Sequence, residues 1–217
     1  MPSFLSEPDS TPAPSPDPML LLAELGHRVA NEYSLAIASI SLAAHRTQHP
    51  QARSALDAAA DRLRRYASAH RALQAPLAGR GGRIDLSDYL RELCRAQVQA
   101  SLAERNIAVT LVEAPLELDA DRCWRVGMIV SELITNAARH AFGVNGGRVL
   151  VEVWTTGREA LCQVSDSGAG PQGGEGRAPP IPGVGSRIAD ALAVELGGSL
   201  ERRFTPTGGR VRLRFPL

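Results

Sequence analysis

The chain has 217 residues, 44% of them hydrophobic and 22% charged, with a formal net charge of +1. That is the composition of a globular protein with one large or two small domains, and so weak a charge gives no field directed at nucleic acid or an anionic membrane. All 24 basic residues are arginine, so a P-loop, which needs its lysine, is excluded and any phosphate contact must come from a guanidinium fork. Three scattered cysteines, Cys94, Cys123 and Cys162, fit neither a disulfide framework nor a zinc site and point to a reducing compartment. No apolar run reaches the ~20 residues needed to span a bilayer, and the expected location is cytoplasmic, without membrane or nucleic-acid partners.

Residues 1–18 are rich in proline, serine and acids, with no basic or apolar segment of a signal peptide, and read as a disordered tail. From 19 to 48 the pattern is helical: Leu22, Leu25, Val29, Tyr33, Ala36, Ile40 and Ala43 recur at three- and four-residue steps and define an apolar stripe. His49-Pro50 ends it. A second helix is expected over 52–73, with Leu56, Leu63, Tyr66 and Ala67 facing inward. The pair forms a helical hairpin over 19–75, too small to be stable alone, which should dimerise into a four-helix bundle or dock on the rest of the chain. Residues 76–82, Pro-Leu-Ala-Gly-Arg-Gly-Gly, are the expected linker.

The region 83–217 alternates strand and helix. Strands are expected at 83–86, 107–112, 148–155, 160–164, 199–204 and 210–215, and helices at 87–104 (Ser87 as N-cap), 119–142 and 186–196. The Gly- and Pro-rich stretch 168–183 reads as a mobile loop. The mixture implies an α+β fold with helices stacked on one face of a mixed sheet.

Four motifs stand in order within it. In Ser131-Glu132-Leu133-Ile134-Thr135-Asn136-Ala137-Ala138-Arg139-His140, the spacing puts Glu132, Asn136 and Arg139 on one helical face. A carboxylate and an amide oxygen one turn apart suit a magnesium ion. Asp166-Ser167-Gly168-Ala169-Gly170 follows a strand; the glycines allow close backbone approach while the carboxylate accepts a hydrogen bond from a ligand. Gly183-Val184-Gly185 opens a helix, where free backbone N–H groups attract anions. Thr205-Pro206-Thr207-Gly208-Gly209 precedes the last strand. Each motif alone is more often a turn or a solvated surface, and their joint order carries the reading.

These motifs resemble the N, G1, G2 and closing Gly-Thr-type boxes of the GHKL (Bergerat-fold) ATPases, and within them those of bacterial histidine kinases. The resemblance spans residues 84–217. It implies an α/β-sandwich ATP-binding domain over 83–217, with Glu132 as the polarising glutamate, Asn136 as the Mg²⁺ ligand beside it, and Arg139 on phosphate. It further implies Asp166 on adenine, Gly168, Gly170, Gly183 and Gly185 shaping pocket and lid, and Thr207 in the closing motif.

His27 lies ~160° from the centre of the first helix's apolar stripe, so the spacing directs it into solvent. Glu24 sits one turn before it and could orient the ring or take its proton. Most solitary helix histidines are plain surface residues, and His45, His49 and His70 have only that reading. Around His27, however, His-Arg-Val-Ala-Asn resembles the H-box of HWE-type sensor kinases, with Ala30 where the family has lysine. The resemblance implies a histidine kinase that passes the γ-phosphoryl of ATP to His27 and then to a receiver-domain aspartate of a response regulator. It would act as a homodimer, with input from a separate sensory partner, unless the chain is a fragment or an unregulated relay. Two other functions share the architecture: a phosphotransfer protein loaded by another donor, and a GHKL-type regulatory module acting on anti-sigma partners.

Overall fold

The computed structural model describes residues 18–78, 82–168 and 183–217. The chain opens with two antiparallel helices, α1 (Pro18–Arg46) and α2 (Pro50–Ala78). The turn between them is closed by Arg53, which donates to the Ala44 and Thr47 carbonyls at 3.2 and 3.0 Å. α2 runs into the expected linker, to Ala78, and Pro76 lies buried within its last turn. The interior 79–81 of that linker lies outside the described residues.

The hairpin packs through small side chains. Gly26 and Ala44 of α1 and Ala60, Ala67 and Ala72 of α2 are buried, with Ala30, Tyr33, Ile37 and Ile40 half-buried beside them. This corrects the stripe expected from spacing. Leu22, Tyr33 and Ile40 do face inward, but Leu25, Val29, Ala36 and Ala43 are exposed, as is Tyr66 on α2. α1 is apolar on two sides, and periodicity cannot distinguish them; the side with Gly and Ala allows the closer helix approach and therefore faces α2.

After β1 (Arg83–Asp85) comes α3 (Leu86–Gln97). Its N-cap is Asp85, whose side chain accepts from the Ser87 N–H at 2.7 Å; Ser87, expected as the cap, is instead buried and donates its hydroxyl to the Ala114 carbonyl. The single helix expected to 104 breaks into a π-helical turn, Val98–Leu102, and a 3-10 turn, Ala103–Arg105, ended by Asn106 in the left-handed conformation (φ 56°). β2 (Ile107–Val112), the unexpected short β3 (Glu117–Asp119), α4 (Ala120–His140), β4 (Gly147–Thr156), β5 (Glu159–Asp166), α5 (Val184–Glu195), β6 (Ser199–Thr205) and β7 (Gly208–Pro216) follow.

The main sheet has the order β2-β4-β5-β7-β6, with β2 and β4 parallel and every other pair antiparallel. The parallel pair requires a crossover, and α4 supplies it. β1 pairs with β3 in a separate two-stranded sheet. Helices α3, α4 and α5 cover one face of the main sheet, burying Val149, Val151, Val153, Cys162, Val164, Leu213 and Phe215 against Leu90, Leu93, Val126, Ile129 and Val130. On the open face Arg212 stacks over Trp154 (5.7 Å) and donates twice to Gln163, which donates in turn to Glu152 at 2.7 Å. A buried amide in the central strand is thereby satisfied.

The hairpin is docked on this helix layer. Ala72 of α2 belongs to the same buried core, and the buried Tyr89 of α3 donates its hydroxyl to the Leu73 carbonyl at 3.0 Å. Tyr89 reaches across because α4 carries Gly127 beneath it, where a Cβ would fall 2.6 Å from the ring. Arg65 and Arg62 of α2 pair with Glu104 at 2.5 and 3.3 Å.

Candidate functional site

α4 is held to the sheet by the opposite side of the same motif: Leu133, Ile134, Ala137 and Ala138 are buried, which turns Glu132 and Asn136 outward, half-exposed on one face. Among the described residues neither side chain has a hydrogen-bond partner. Two oxygen-bearing groups one turn apart, unpaired and partly desolvated, fit a hard cation. Among the described residues no cluster of three or more His, Cys, Asp or Glu forms a protein-only metal cage. A cation here would need ligand oxygens from elsewhere, as magnesium on a polyphosphate has.

Glu132 points at the start of α5. The N-cap is Gly183, and a Cβ on Gly185 would overlap the Glu132 carboxylate. The glycine therefore lets a helix N-terminus, with its unpaired N–H groups, meet α4 directly. Gly183 has open space around it. Helix α5 begins two residues earlier than the spacing suggested. Gly170, expected to shape the pocket, lies outside the described residues, as does 169–182 of the expected mobile loop.

The third wall is the end of β5. One oxygen of Asp166, Oδ1, accepts from the backbone N–H of Gly168 (3.0 Å) and of Gly209 (3.1 Å), tying β5 to the start of β7. Its Oδ2 has no partner among the described residues and lies beside Gly209. Gly168 packs on the Ala141 carbonyl, which ends α4, and a Cβ there would collide with it. Ser167 completes the corner: its N–H donates to the Arg148 carbonyl, and its hydroxyl accepts from the Arg148 N–H, both at 3.0 Å.

Thr207 lies exposed in the β6–β7 turn, where its N–H donates to the Thr205 hydroxyl at 3.3 Å. It shapes the turn that delivers Gly209 and makes no contact with Asp166. Arg139 is exposed at the end of the α4 face and makes no ion pair among the described residues. Phe204 was not singled out by motif. It is 54% exposed on the helix-facing side of β6, and a Cβ on Gly209 would lie 3.0 Å from its ring and 2.7 Å from Asp166 Oδ2. The signal was the alternation Leu200, Arg202, Phe204, which places an aromatic ring at the open end of the inner face.

His27 is exposed on α1, as expected, but sits only about 100° around the helix from buried Gly26, on the flank of the hairpin interface. Glu24 does not address it: its carboxylate accepts from Arg28 Nε at 3.0 Å.

Family models match both halves of the chain: one described as histidine kinase over residues 24–101, and one described as histidine kinase-like ATPase domain over 94–215. The sensor histidine kinase PdtaS of Mycolicibacterium smegmatis is 29% identical over 200 residues, 90% of this chain and 39% of its own length. Blue-light-activated histidine kinase 1 of Erythrobacter litoralis is 26% identical over 198 residues, 91% of this chain and 53% of its own. The histidine kinase domain of the Erythrobacter litoralis EL346 blue-light activated histidine kinase superposes with a TM-score of 0.58 at 26% identity, over 86% of this chain and 96% of that one. The chain thus spans about half the length, or less, of these curated relatives. Among the described residues no helix is long and apolar enough to cross a membrane. With the ATPase-domain match covering more than half of the chain and the hairpin matched in front of it, this protein belongs to the histidine kinases that join a helical hairpin to a histidine kinase-like ATPase domain.

Proposed function

We propose that the chain is the kinase core of a two-component system, binding ATP between α4, α5 and the Asp166 corner and transferring its γ-phosphoryl group to His27. The observation that carries this reading is a pair of close contacts around α4, with Glu132 against Gly185 at the start of α5 and Gly168, whose N–H Asp166 accepts, against Ala141 at the end of α4. Asp166 accepts from the adenine amino group, while its other oxygen is fixed by two backbone donors. The α5 N-terminus and Arg139 neutralise phosphate charge. Asn136 and Glu132 would hold Mg²⁺, which supplies charge compensation on the polyphosphate.

In the transfer, a lone pair on a His27 ring nitrogen attacks the γ-phosphorus as the bond to the β-bridging oxygen breaks. ADP leaves with that electron pair, and the displaced ring proton passes to a carboxylate or water. Glu24 is held by Arg28, whereas Glu132 has no hydrogen-bond partner among the described residues, so Glu132 is the acceptor we assign. The phosphoramidate then supplies a receiver-domain aspartate of a response regulator. Exposed Leu21, Leu25, Val29, Leu35 and Leu42 on the second apolar side of α1 support a homodimer. Input would come from a sensory partner or segment, in the cytoplasm.

The test is incubation with γ-labelled ATP and Mg²⁺, alongside His27→Ala and Asn136→Ala. An acid-labile label, lost in both variants, is expected. Retention of label by His27→Ala, or nucleotide binding with no label on the unaltered protein, overturns the reading.

A further inference from the structure

A cavity of about 520 Å³ lies between the hairpin and the ATPase domain, away from the Asp166 corner. Its walls come from α2, the π-helical and 3-10 turns, and the hairpin-facing side of α4. The floor is apolar (Ala69, Ala100, Leu102, Ile134, Ala138), and Tyr66 adds a partly exposed ring. Such a volume, at a domain junction, lies within the range that encloses a small organic ligand.

The polar groups are unevenly satisfied. Gln97 donates its amide to the Ser131 hydroxyl at 2.5 Å, but its carbonyl Oε1 is buried and has no donor. Arg62, Arg105 and Arg139 line the cavity against a single carboxylate, Glu104. Glu104 is engaged by Arg62 and Arg65. Arg105 and Arg139 make no ion pair among the described residues. An apolar floor and two unpaired guanidiniums together specify a complementary molecule.

We infer that this cavity binds a small planar anion: an aromatic ring for the Ala–Leu–Tyr66 floor, and a carboxylate or sulfonate for Arg105 and Arg139. The π-helical turn builds the site, because it widens the helix there and ends at the residues that line the cavity. The ligand touches both α2 and α4, so its occupancy favours the docked hairpin. Arg139 is common to this cavity and to the proposed phosphate site, so ADP should weaken the anion severalfold, while Arg105 and the apolar floor retain it.

The probe is 1-anilinonaphthalene-8-sulfonate, which carries the ring and the anion, titrated by fluorescence onto the whole chain at saturating ADP. Bound probe should persist with ADP present, and Arg105→Ala should weaken it by about tenfold, the loss of one charge-assisted contact. Ala69→Phe, which fills the floor, should abolish it, and both variants should keep wild-type ADP affinity by calorimetry. Arg105→Ala alters an exposed side chain, so it decides the matter even if the filled variant folds poorly. Complete displacement by ADP, or a titration unchanged in Arg105→Ala, overturns the inference; the second result would place the probe on the exposed leucines of α1. ADP affinity is read separately, so failure here is distinct from failure of the kinase reading.

Discussion

Replacing Asp166 separates its two jobs. Oδ1 holds the Gly168 and Gly209 N–H groups at 3.0 and 3.1 Å, while Oδ2 has no partner among the described residues and is the oxygen assigned to adenine. In Asp166→Asn the amide oxygen can keep both backbone bonds, so the corner should survive. The group facing adenine then becomes an NH₂ donor opposed to the adenine amino donor. Losing a hydrogen bond to a charged acceptor costs about 1.5–3 kcal/mol. At about 1.4 kcal/mol per tenfold, ATP affinity should fall by about 10- to 150-fold. Asp166→Ala should lose the same affinity and also about 1–2 kcal/mol of stability, because two N–H groups lose their acceptor. Calorimetric titration with ATP and urea unfolding of the three proteins provide the measurement. ATP affinity within threefold of wild type in Asp166→Asn would refute the adenine assignment. Equal stability of the Ala and Asn variants would refute the structural role.

Two glycines in the site should respond differently to alanine. Gly168→Ala drives a Cβ into the Ala141 backbone carbonyl, which cannot yield, so thermal unfolding should show a loss of about 1–3 kcal/mol. In Gly185→Ala the Cβ meets only the end of the Glu132 side chain, which can rotate. Its melting temperature should stay within about 2 °C of wild type while the labelling rate falls; a loss of stability as large as that of Gly168→Ala would contradict the geometry. The cysteines predict a pH dependence. Burial pushes the thiols of Cys94, Cys123 and Cys162 up to about 12. Unfolded thiols ionise near pH ~8.5, so their contribution is complete below that pH and is lost as pH rises towards 12. The urea midpoint should therefore fall from pH 8 to pH 10, with a shallower fall in Cys162→Ala. An identical fall in that variant would show that this thiol does not contribute.

How much of this was legible in the sequence depended on whether a residue's role was local. Glu132 and Asn136 share a face because they are four apart on a helix whose other side is plainly apolar, and Asp166 and Gly168 sit at a strand end marked by its own turn residues. Those placements follow from period and punctuation alone. The hairpin's inner face did not. α1 carries leucines on one side and Gly26, Ala30 and Ala44 on another, and hydrophobicity favours the leucines while close packing favours the small residues. The break after Gln97 was hidden because Val98, Ala100 and Leu102 continue an apolar pattern through the π-helical turn. Phe204 escaped notice for a similar reason. Register along β6, set by pairing with β7, decides which side chain lies beside Gly209, and a motif string contains no register.

The polar part of the hairpin's attachment is slight. In the proposed transfer His27 must reach a γ-phosphate, and a hairpin fused rigidly to the helix layer would serve only one relative position. The apolar contact runs through Met19, Leu22, Ala69, Ala72, Leu73 and Leu77, and the polar contacts include one buried hydroxyl, Tyr89 on the Leu73 carbonyl, and the Arg62 and Arg65 pairs with Glu104. Exposed ion pairs contribute about 0.2–1 kcal/mol each and one hydrogen bond about 1 kcal/mol, so the polar part of the dock is worth only a few kcal/mol. That is the scale at which a ligand or partner with differential affinity shifts a two-state equilibrium. α4 is the element through which such a shift would reach the proposed nucleotide site: Ile134, Thr135 and Ala138 line the junction cavity, while Glu132, within the same two turns, faces α5. A displacement of α2 that moves or releases α4 would therefore act on Glu132 and Asn136, the pair proposed to hold the cation, directly and without passing through the sheet.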